Sequence, residues 1–453
     1  MNHAEKAERF IADKQRTAWH DETLWFIRSK RDTAAQKLPE WEQLRNWASD
    51  IKAHTLSRLD VYLEEFERNA IANGIIVHWA KDGEEHNQII EKILKDNQCK
   101  RLVKSKSMLT EECHLNAHLK TVGIEVIDTD LGERIVQLRD EPPSHIVLPA
   151  IHLKKKDVSD VFTEKLGATP GNEDPEYLTR LARKSLREEF LQSEVAITGV
   201  NFAIAETGGI VICTNEGNAD MGVNNARVHI ACMGIEKLLP KKEHLGVFIR
   251  LLTRSATGQP ITIYTSHYRK PKPGKEMHLV IVDNGRTRQL ASDDFRSSLK
   301  CIRCAACFNT CPVYRRSGGH SYDAVVAGPI GSILSPNYDP KKHADLPFAS
   351  TLCGSCSNVC PVKIDIHDQL WKWRQTLTQQ GYTPASKTLM MRMMAFMLGH
   401  RGAYAIAGKI GRWTLRQFPQ LIRNRWNPWY RQREMPDAPK ESFQEWFKKH
   451  QKI

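Results

Sequence analysis

C-I-R-C-A-A-C-F-N-T-C-P, from Cys301 to Pro312, and C-G-S-C-S-N-V-C-P, from Cys353 to Pro361, are the stretches on which the reading of this chain turns. The first matches C-x2-C-x2-C-x3-C-P, in which three close thiolates hold three corners of an iron-sulfur cubane while the fourth cysteine turns to another cluster. Each run therefore serves two clusters. The crossing puts Cys301, Cys304, Cys307 and Cys360 on one, and Cys311, Cys353 and Cys356 on the other. The second set is one thiolate short, because the position three before Cys353 is Ser350. Such a site holds a 3Fe-4S cluster, or a 4Fe-4S cluster whose fourth iron takes Ser350, His343, His320, a water or a group from a partner chain. The spacing leaves these open. C-x2-C pairs also suit structural zinc, but two successive C-x3-C-P endings are not what a zinc ribbon asks for.

Working outward, 453 residues of which 41% are hydrophobic are enough to bury more than one core, so two or three domains are expected. Seven of the eleven cysteines lie in the two runs; Cys99, Cys113, Cys213 and Cys232 are scattered and read as reduced core thiols. Cluster thiolates need a reducing compartment, and M-N-H-A-E-K-A-E-R-F has no apolar export signal, so a cytoplasmic protein is expected. The apolar stretch 389–411 is broken by Arg392, His400, Arg401 and Lys409 and does not read as a membrane span.

The formal charge is +13, and from Ser386 onward 14 Lys and Arg stand against 4 Asp and Glu, so the tail carries +10 of it. That tail suits an acidic partner or peripheral contact with an anionic membrane face, or is simply solvated; no nucleic acid is expected. Trp413, Trp426, Trp429 and Trp446 in it would suit an interface. Met390, Met391, Met393, Met394 and Met397 read as helix core rather than as an adaptable partner groove.

Residues 4–72 read as two long helices, from the recurrence of Leu24, Trp25, Ile27, Leu44, Trp47, Ile51 and Leu56. From Gly74 short apolar runs alternate with amphipathic stretches, the pattern of β-α-β units and a largely parallel sheet. Strands are expected at 75–80, 101–105, 124–127, 145–150, 195–200, 209–214, 261–265 and 278–282, with helices to about 97 and about 121. The expected organisation is a helical region 1–73, an α/β domain 74–290, an all-α double-cluster domain 291–385 and a basic C-terminal region 386–453.

Three loops of the α/β domain are candidates for chemistry. Lys106 lies in K-S-K-S-M-L-T-E-E, a strand-to-helix turn suited to an anion or explained by Thr110 as a helix cap. Glu206 precedes Gly208-Gly209 and suits a base, an acid or a polar anchor, or only a turn. Arg286 follows Asn284-Gly285 and suits an anion clamp. There is no G-x-G-x-x-G after a strand and no phosphate loop, so no nicotinamide or flavin site of the chain's own is expected.

The order of K-S-K-S-M-L-T-E-E, P-P-S-H-I-V-L-P-A-I-H, A-E-T-G-G-I-V, the two cysteine runs and the ending W-N-P-W-Y-R-Q-R-E-M-P-D-A-P-K-E-S-F-Q-E-W-F resembles the lactate utilization protein B family over nearly the whole chain. The resemblance implies a LUD domain, similar to the ribose-phosphate isomerase and CoA-transferase fold, and an α-helical ferredoxin-like module. It implies the cluster ligands given above. It also implies an iron-sulfur electron-transfer subunit of a multi-subunit, NAD-independent system oxidising L-lactate to pyruvate, with a cysteine-rich subunit and a second LUD-domain subunit as partners. Two other roles stay open beside it: a carboxylate-binding catalytic LUD domain using Glu206, Lys106 and Arg286 with the clusters as a sensor, and an assembly scaffold working through the tail.

Overall fold

The computed structural model describes residues 2–427, 430 and 437–451. The chain forms two compact units, Met1–Thr376 and Leu377–Ile453.

Where two N-terminal helices were expected there are four, His3–Ala12, Lys14–Gln36, Trp41–Ser57 and Leu59–Ala72. The interruptions have local causes. Asp13 caps the second helix by accepting from the Arg16 N–H at 2.9 Å, Pro39 sits in the turn before the third, and Arg58 leaves helical geometry at φ −135°. Apolar faces of the last two helices turn inward: Leu44, Ala48, Phe66 and Ala70 are fully buried.

Ten strands follow in chain order: β1 Ile76–Ala80, β2 Arg101–Lys104, β3 Glu125–Asp128, β4 Val195–Gly199, β5 Phe202–Ile204, β6 Gly209–Thr214, β7 Val228–Gly234, β8 Leu238–Leu239, β9 Tyr264–Tyr268 and β10 Glu276–Val282. Six make a wholly parallel sheet in the order β1-β10-β7-β4-β2-β3, and four make a smaller mixed sheet in the order β8-β5-β6-β9. Both faces of the large sheet are covered, as parallel sheets require. Ile90, Leu94, Leu115 and Leu119 pack with Val195, Ile197, Ile230 and Val280 on one face. Phe66, Ala70, Ile210 and Ile212 pack with Ala231, Met233, Leu279 and Ile281 on the other.

The run 145–150 is a turn, not a strand. The His145 ring accepts from the Val147 and Leu148 N–H groups at 3.1 and 3.0 Å, and the Ser144 N–H donates to the Pro149 carbonyl at 3.0 Å, which bends the chain back on itself. The expected 261–265 strand lies at Tyr264–Tyr268, and β5, β7 and β8 are additional to the expected set.

The cysteine-bearing segment is built of short helices, Ala306–Thr310, Pro312–Ser317, Gly328–Tyr338 and Ser355–Val359, followed by Ile366–Gln379. The C-terminal unit contains helices Ala385–Gly399, Arg401–Gln417, Pro419–Ile422 and Phe443–His450, none with a buried residue. Its methionines do not form the expected core: Met390 and Met393 are 60% and 62% exposed. Trp413, Trp426 and Trp446 are exposed as well, and Trp429 lies outside the described residues. No described helix is long and apolar enough to cross a membrane.

Candidate iron-sulfur site and the adjoining cavity

The two cysteine runs fold as a local repeat. In the first, Arg303 and Ala305 adopt left-handed φ of 60° and 61° on either side of Cys304; in the second, Leu352 and Gly354 do so, at 55° and 76°, on either side of Cys353. Alternation of this kind turns successive N–H groups inward and makes a cradle for a negatively charged group. A short helix follows in each, carrying Cys307 and Cys356, and Cys311 and Cys360 stand at its end. Cys301 Sγ accepts from the Arg303 N–H at 3.4 Å, and in the second loop Ser350 Oγ accepts from the Leu352 N–H at 3.1 Å. Ser350 thus stands where Cys301 stands in the first.

Cys301, Cys304, Cys307 and Cys360 line one narrow cavity, closed by Ile146, Ile330, Val362, Ile364 and Ile366. Burial pushes the Cys304 and Cys307 thiols up, and their cysteine neighbours push them further. Burial likewise takes Cys360 up to about 11, with Cys301 adding to it, while backbone N–H groups including that of Ile364, at 3.4 Å from Sγ, pull the other way. The other three act mainly on one another, though Cys356 also raises Cys307. Cys311 is pushed to about 11 by burial and by Cys353, and Cys356 to about 12 by burial and by Cys311 and Cys353.

As bare thiols Cys304, Cys307, Cys311, Cys356 and Cys360 are neutral at neutral pH, so only bound cationic iron would hold them as thiolates. Among the described residues, no three His, Cys, Asp or Glu converge as ligands of a single ion. A cubane instead takes its thiolates at separate corners, and the soft donor set and the N–H cradles fit it.

The N-terminal helices reach into this housing. Arg45 donates to the Cys360 carbonyl through Nε and Nη2 at 3.1 and 2.9 Å and to the Asn358 carbonyl at 2.7 Å; Arg31 donates to the Val359 carbonyl at 3.0 Å. Arg28 donates to Thr310. Both Arg31 and Arg45 are buried, and their charges lie beside the second run. His145 caps the other side. Its Nδ1 accepts from two backbone N–H groups, so Nε2 carries the hydrogen and donates to Asn309 Oδ1 at 3.1 Å; burial lowers the ring to about 3 and keeps it neutral.

A larger cavity of about 290 Å³ lies beyond the carboxyl ends of the parallel strands. The loops after β2 and β4 both form its wall, through Ser105 to Ser107 and Gly199 to Asn201, at the point where successive connections reverse direction across the sheet. Open parallel sheets bind ligands at such a switch point. Glu236 and Lys237 follow β7 on the wall, and Arg303 and Cys304 of the first cysteine run complete it.

The three loop candidates part ways here. Lys106 and Arg286 line the cavity, but both are engaged. Lys106 Nζ donates to Asp130 Oδ2 at 3.0 Å and to the Val147 carbonyl at 3.1 Å. Arg286 is not a clamp for an external anion: Nη1 and Nη2 meet the two oxygens of Glu112 at 2.9 and 3.0 Å, and Nε meets Glu236 Oε2 at 2.6 Å. The pairs are close-fitted, since a Cβ on Gly234 would fall 2.1 Å from Glu236 Oε2. Glu206 is elsewhere, on an exposed turn, where it accepts from the Lys242 N–H at 3.0 Å. Thr110 does not cap its helix; Ser107 does, accepting from the Thr110 N–H at 3.3 Å.

Cys99, Cys113, Cys213 and Cys232 are free, with Cys113 and Cys232 buried. His320, weighed as a ligand, hydrogen-bonds the Pro142 carbonyl through Nε2 at 2.8 Å. Sequence reasoning missed Arg31, Arg45, His145, Lys237 and Arg303. Only Arg303 carried a signal, its place inside the first run.

Residues 63–288 match the LUD domain, 297–364 the 4Fe-4S dicluster domain, and 373–452 the C-terminal region of lactate utilisation protein B. The chain is 42% identical over 438 residues to lactate utilization protein B of Bacillus cereus strain B4264, an alignment covering 94% of this chain and 92% of that protein. It is equally similar, with the same coverage, to lactate utilization protein B 2 of Bacillus mycoides strain KBAB4. A DUF162 family protein of known structure from Deinococcus radiodurans matches 49% of this chain and 98% of its own at 14% identity, with a TM-score of 0.27, too loose a likeness to carry an argument. Relatedness at this level along nearly the whole length, with all three regions in order, places the chain in the lactate utilization protein B family.

Proposed function

We propose that this chain is the electron-transfer subunit of a multi-subunit, NAD-independent system that oxidises L-lactate to pyruvate in the cytoplasm. The observation that carries the reading is the placement of the two cysteine sets. Cys304 backs onto the internal cavity at the sheet's switch point, whereas Cys353 is exposed. An entry side within the fold and an exit side at its surface suit a conductor between a donor and a partner chain. Clusters held by these residues would supply one-electron transfer.

The chain's own residues do the rest. Cys301, Cys304, Cys307 and Cys360 hold the first cluster, and Cys311, Cys353 and Cys356 the second, with Ser350 Oγ as the fourth ligand of a 4Fe-4S group. The repeated N–H contact at Ser350 and Cys301 supports that assignment. Ile146, Ile330 and Ile366 keep water from the first set. Arg31 and Arg45 set positive charge beside it and favour the reduced form. Replacing Cys301 with serine is expected to abolish lactate oxidation by the assembled system; full activity in that variant would defeat the proposal.

The C-terminal unit favours a second, compatible role in assembly. It leaves Met390, Met393, Trp413 and Trp426 exposed among basic side chains, a surface suited to docking the cysteine-rich and second LUD-domain subunits. Deleting residues 386–453 should abolish partner binding in a pull-down while iron and sulfide per chain stay unchanged. Retained binding would remove the assembly role.

A further inference from the structure

One face of helix Trp41–Ser57 runs along the first cysteine set. Arg45, Ser49 and Lys52 stand on it at i, i+4 and i+7, spacings that put three side chains in one stripe. Arg45 takes the Cys360 carbonyl, and Ser49 Oγ accepts at 3.1 Å from Nζ of Lys300, the residue before Cys301. Lys52 comes next along the same face.

Lys52 is 3% exposed, and its Nζ donates to the Glu236 carbonyl and, at 3.4 Å, to that of Leu238. Neither acceptor is a carboxylate. The Glu236 side chain is already engaged, its Oε2 accepting from Arg286 Nε at 2.6 Å. Glu236 and Cys301 line one narrow gap together with Arg303, so a single residue, Glu236, stands between the Lys52 ammonium and the space that Cys301 borders.

A buried ammonium without a paired carboxylate holds its proton weakly, and burial takes Lys52 down to about 8. Three charged groups reach it: Glu236 and the Cys301 sulfur raise it, and Lys237 lowers it. Helices Leu59–Ala72 and Leu245–Thr257, which also pack on its helix, add none. Asp50, on the same helix as Lys52, acts on Lys300. Of the three, only the sulfur belongs to a set whose charge would change as electrons pass.

We propose that Lys52 couples a proton to the electron on the first cluster. When that cluster accepts an electron, the Lys52 amine takes up a proton from solvent and becomes the ammonium; when the electron moves on, the proton returns to solvent. No bond to the cluster forms or breaks. The inference rests on the electron-transfer reading and adds the proton to it. Reduction adds negative charge, so the reduced form holds the Lys52 proton more tightly than the oxidised form. Where the amine is protonated in both forms the potential does not depend on pH. Above the point at which the oxidised form loses the proton the potential falls, by at most about 59 mV for each tenfold drop in proton concentration.

The full chain, purified without oxygen with its clusters in place, is titrated from about pH 6 to about pH 10 while paramagnetic resonance follows each cluster. The potential of the first cluster should be level in acid and fall in alkali, and that of the second should stay nearly level. Lys52→Met should lower the first potential and remove its slope, with iron per chain unchanged. Lys52→Arg stays charged at every pH, so it should keep the acid-side potential and lose the slope; it carries the test if Lys52→Met does not fold. A level profile in the parent chain, or a slope that survives in Lys52→Arg, would overturn the coupling and leave the electron-transfer reading standing. A parent chain without iron and sulfide would remove both.

Discussion

Ser350 receives from the Leu352 N–H the contact that Cys301 receives from the Arg303 N–H, at 3.1 and 3.4 Å, so the two side chains occupy equivalent places in two copies of one loop. If Ser350 is the fourth ligand, Ser350→Ala should lose about one iron per chain and gain an oxidised 3Fe-4S signal. Ser350→Cys should keep a 4Fe-4S group and change its potential. Iron analysis with paramagnetic resonance reads both; a Ser350→Ala protein identical to the parent in iron and spectrum would show that oxygen is not a ligand.

Arg45 is buried against the Cys360 carbonyl, so its charge is poorly screened. Arg45→Met should lower the potential of the first cluster by something on the order of 50 mV, about one kcal/mol for a one-electron couple. The second cluster should move less. A redox titration followed by paramagnetic resonance measures both.

Burial alone would raise the Glu236 carboxyl, but the Arg286 guanidinium first, then Lys237 and Arg303, hold it at about 2 against an ordinary 4.5. A depressed carboxyl contributes stability that is complete above about pH 4.5 and disappears as the pH falls towards 2, of order 3 kcal/mol in all. Arg286→Met would leave Glu112 and Glu236 buried without their cation. It should cost about 3–5 kcal/mol at pH 7, and less in mildly acid solution, where the carboxyls take up protons. Denaturant midpoints from pH 4 to 8 test the sign.

Gly208 lies at φ 62°, and a Cβ there would fall 2.3 Å from the Ala70 backbone nitrogen. The turn is pinned to that helix by Asn69 Nδ2 on the Ala205 carbonyl and Asn73 Nδ2 on the Thr207 carbonyl, each at 2.8 Å. Gly208→Ala should therefore destabilise the chain by at least about 2 kcal/mol. Gly167→Ala, at φ 69° but with nothing within 4 Å, should cost about 1 kcal/mol.

The cysteine spacing made the cluster module legible because ligand geometry is written into short local intervals. The outer strands were legible for a similar reason, as apolar runs bounded by turns. Central β7 was not, because V-H-I-A-C-M-G carries a histidine and a cysteine that look unlike a strand core. In the fold His229 is satisfied by Thr198, at 2.8 Å from Nε2 to Oγ1, and the whole strand is buried. H-I-V-L-P-A misled in the opposite direction, since its Ile146 closes the cysteine cavity and the run pairs in no sheet. Arg286 reads from its turn as an anion clamp, but its partners, Glu112 and Glu236, lie far off in sequence and make it an internal brace instead. Of the cavity wall, Lys106, Arg286 and Cys304 stood out in the sequence, but their convergence did not, since the wall gathers residues from Ser105 to Cys304 that share no local pattern.

The grip of Arg45 on the Cys360 carbonyl joins positions 315 residues apart, and Cys360 shares its cavity with Cys301, Cys304 and Cys307. During synthesis the N-terminal helices leave the ribosome long before their partner exists, and the first cysteine run appears before its fourth member. If Cys301, Cys304, Cys307 and Cys360 share one cluster, as proposed above, its insertion waits for Cys360, the last of the four to be synthesised.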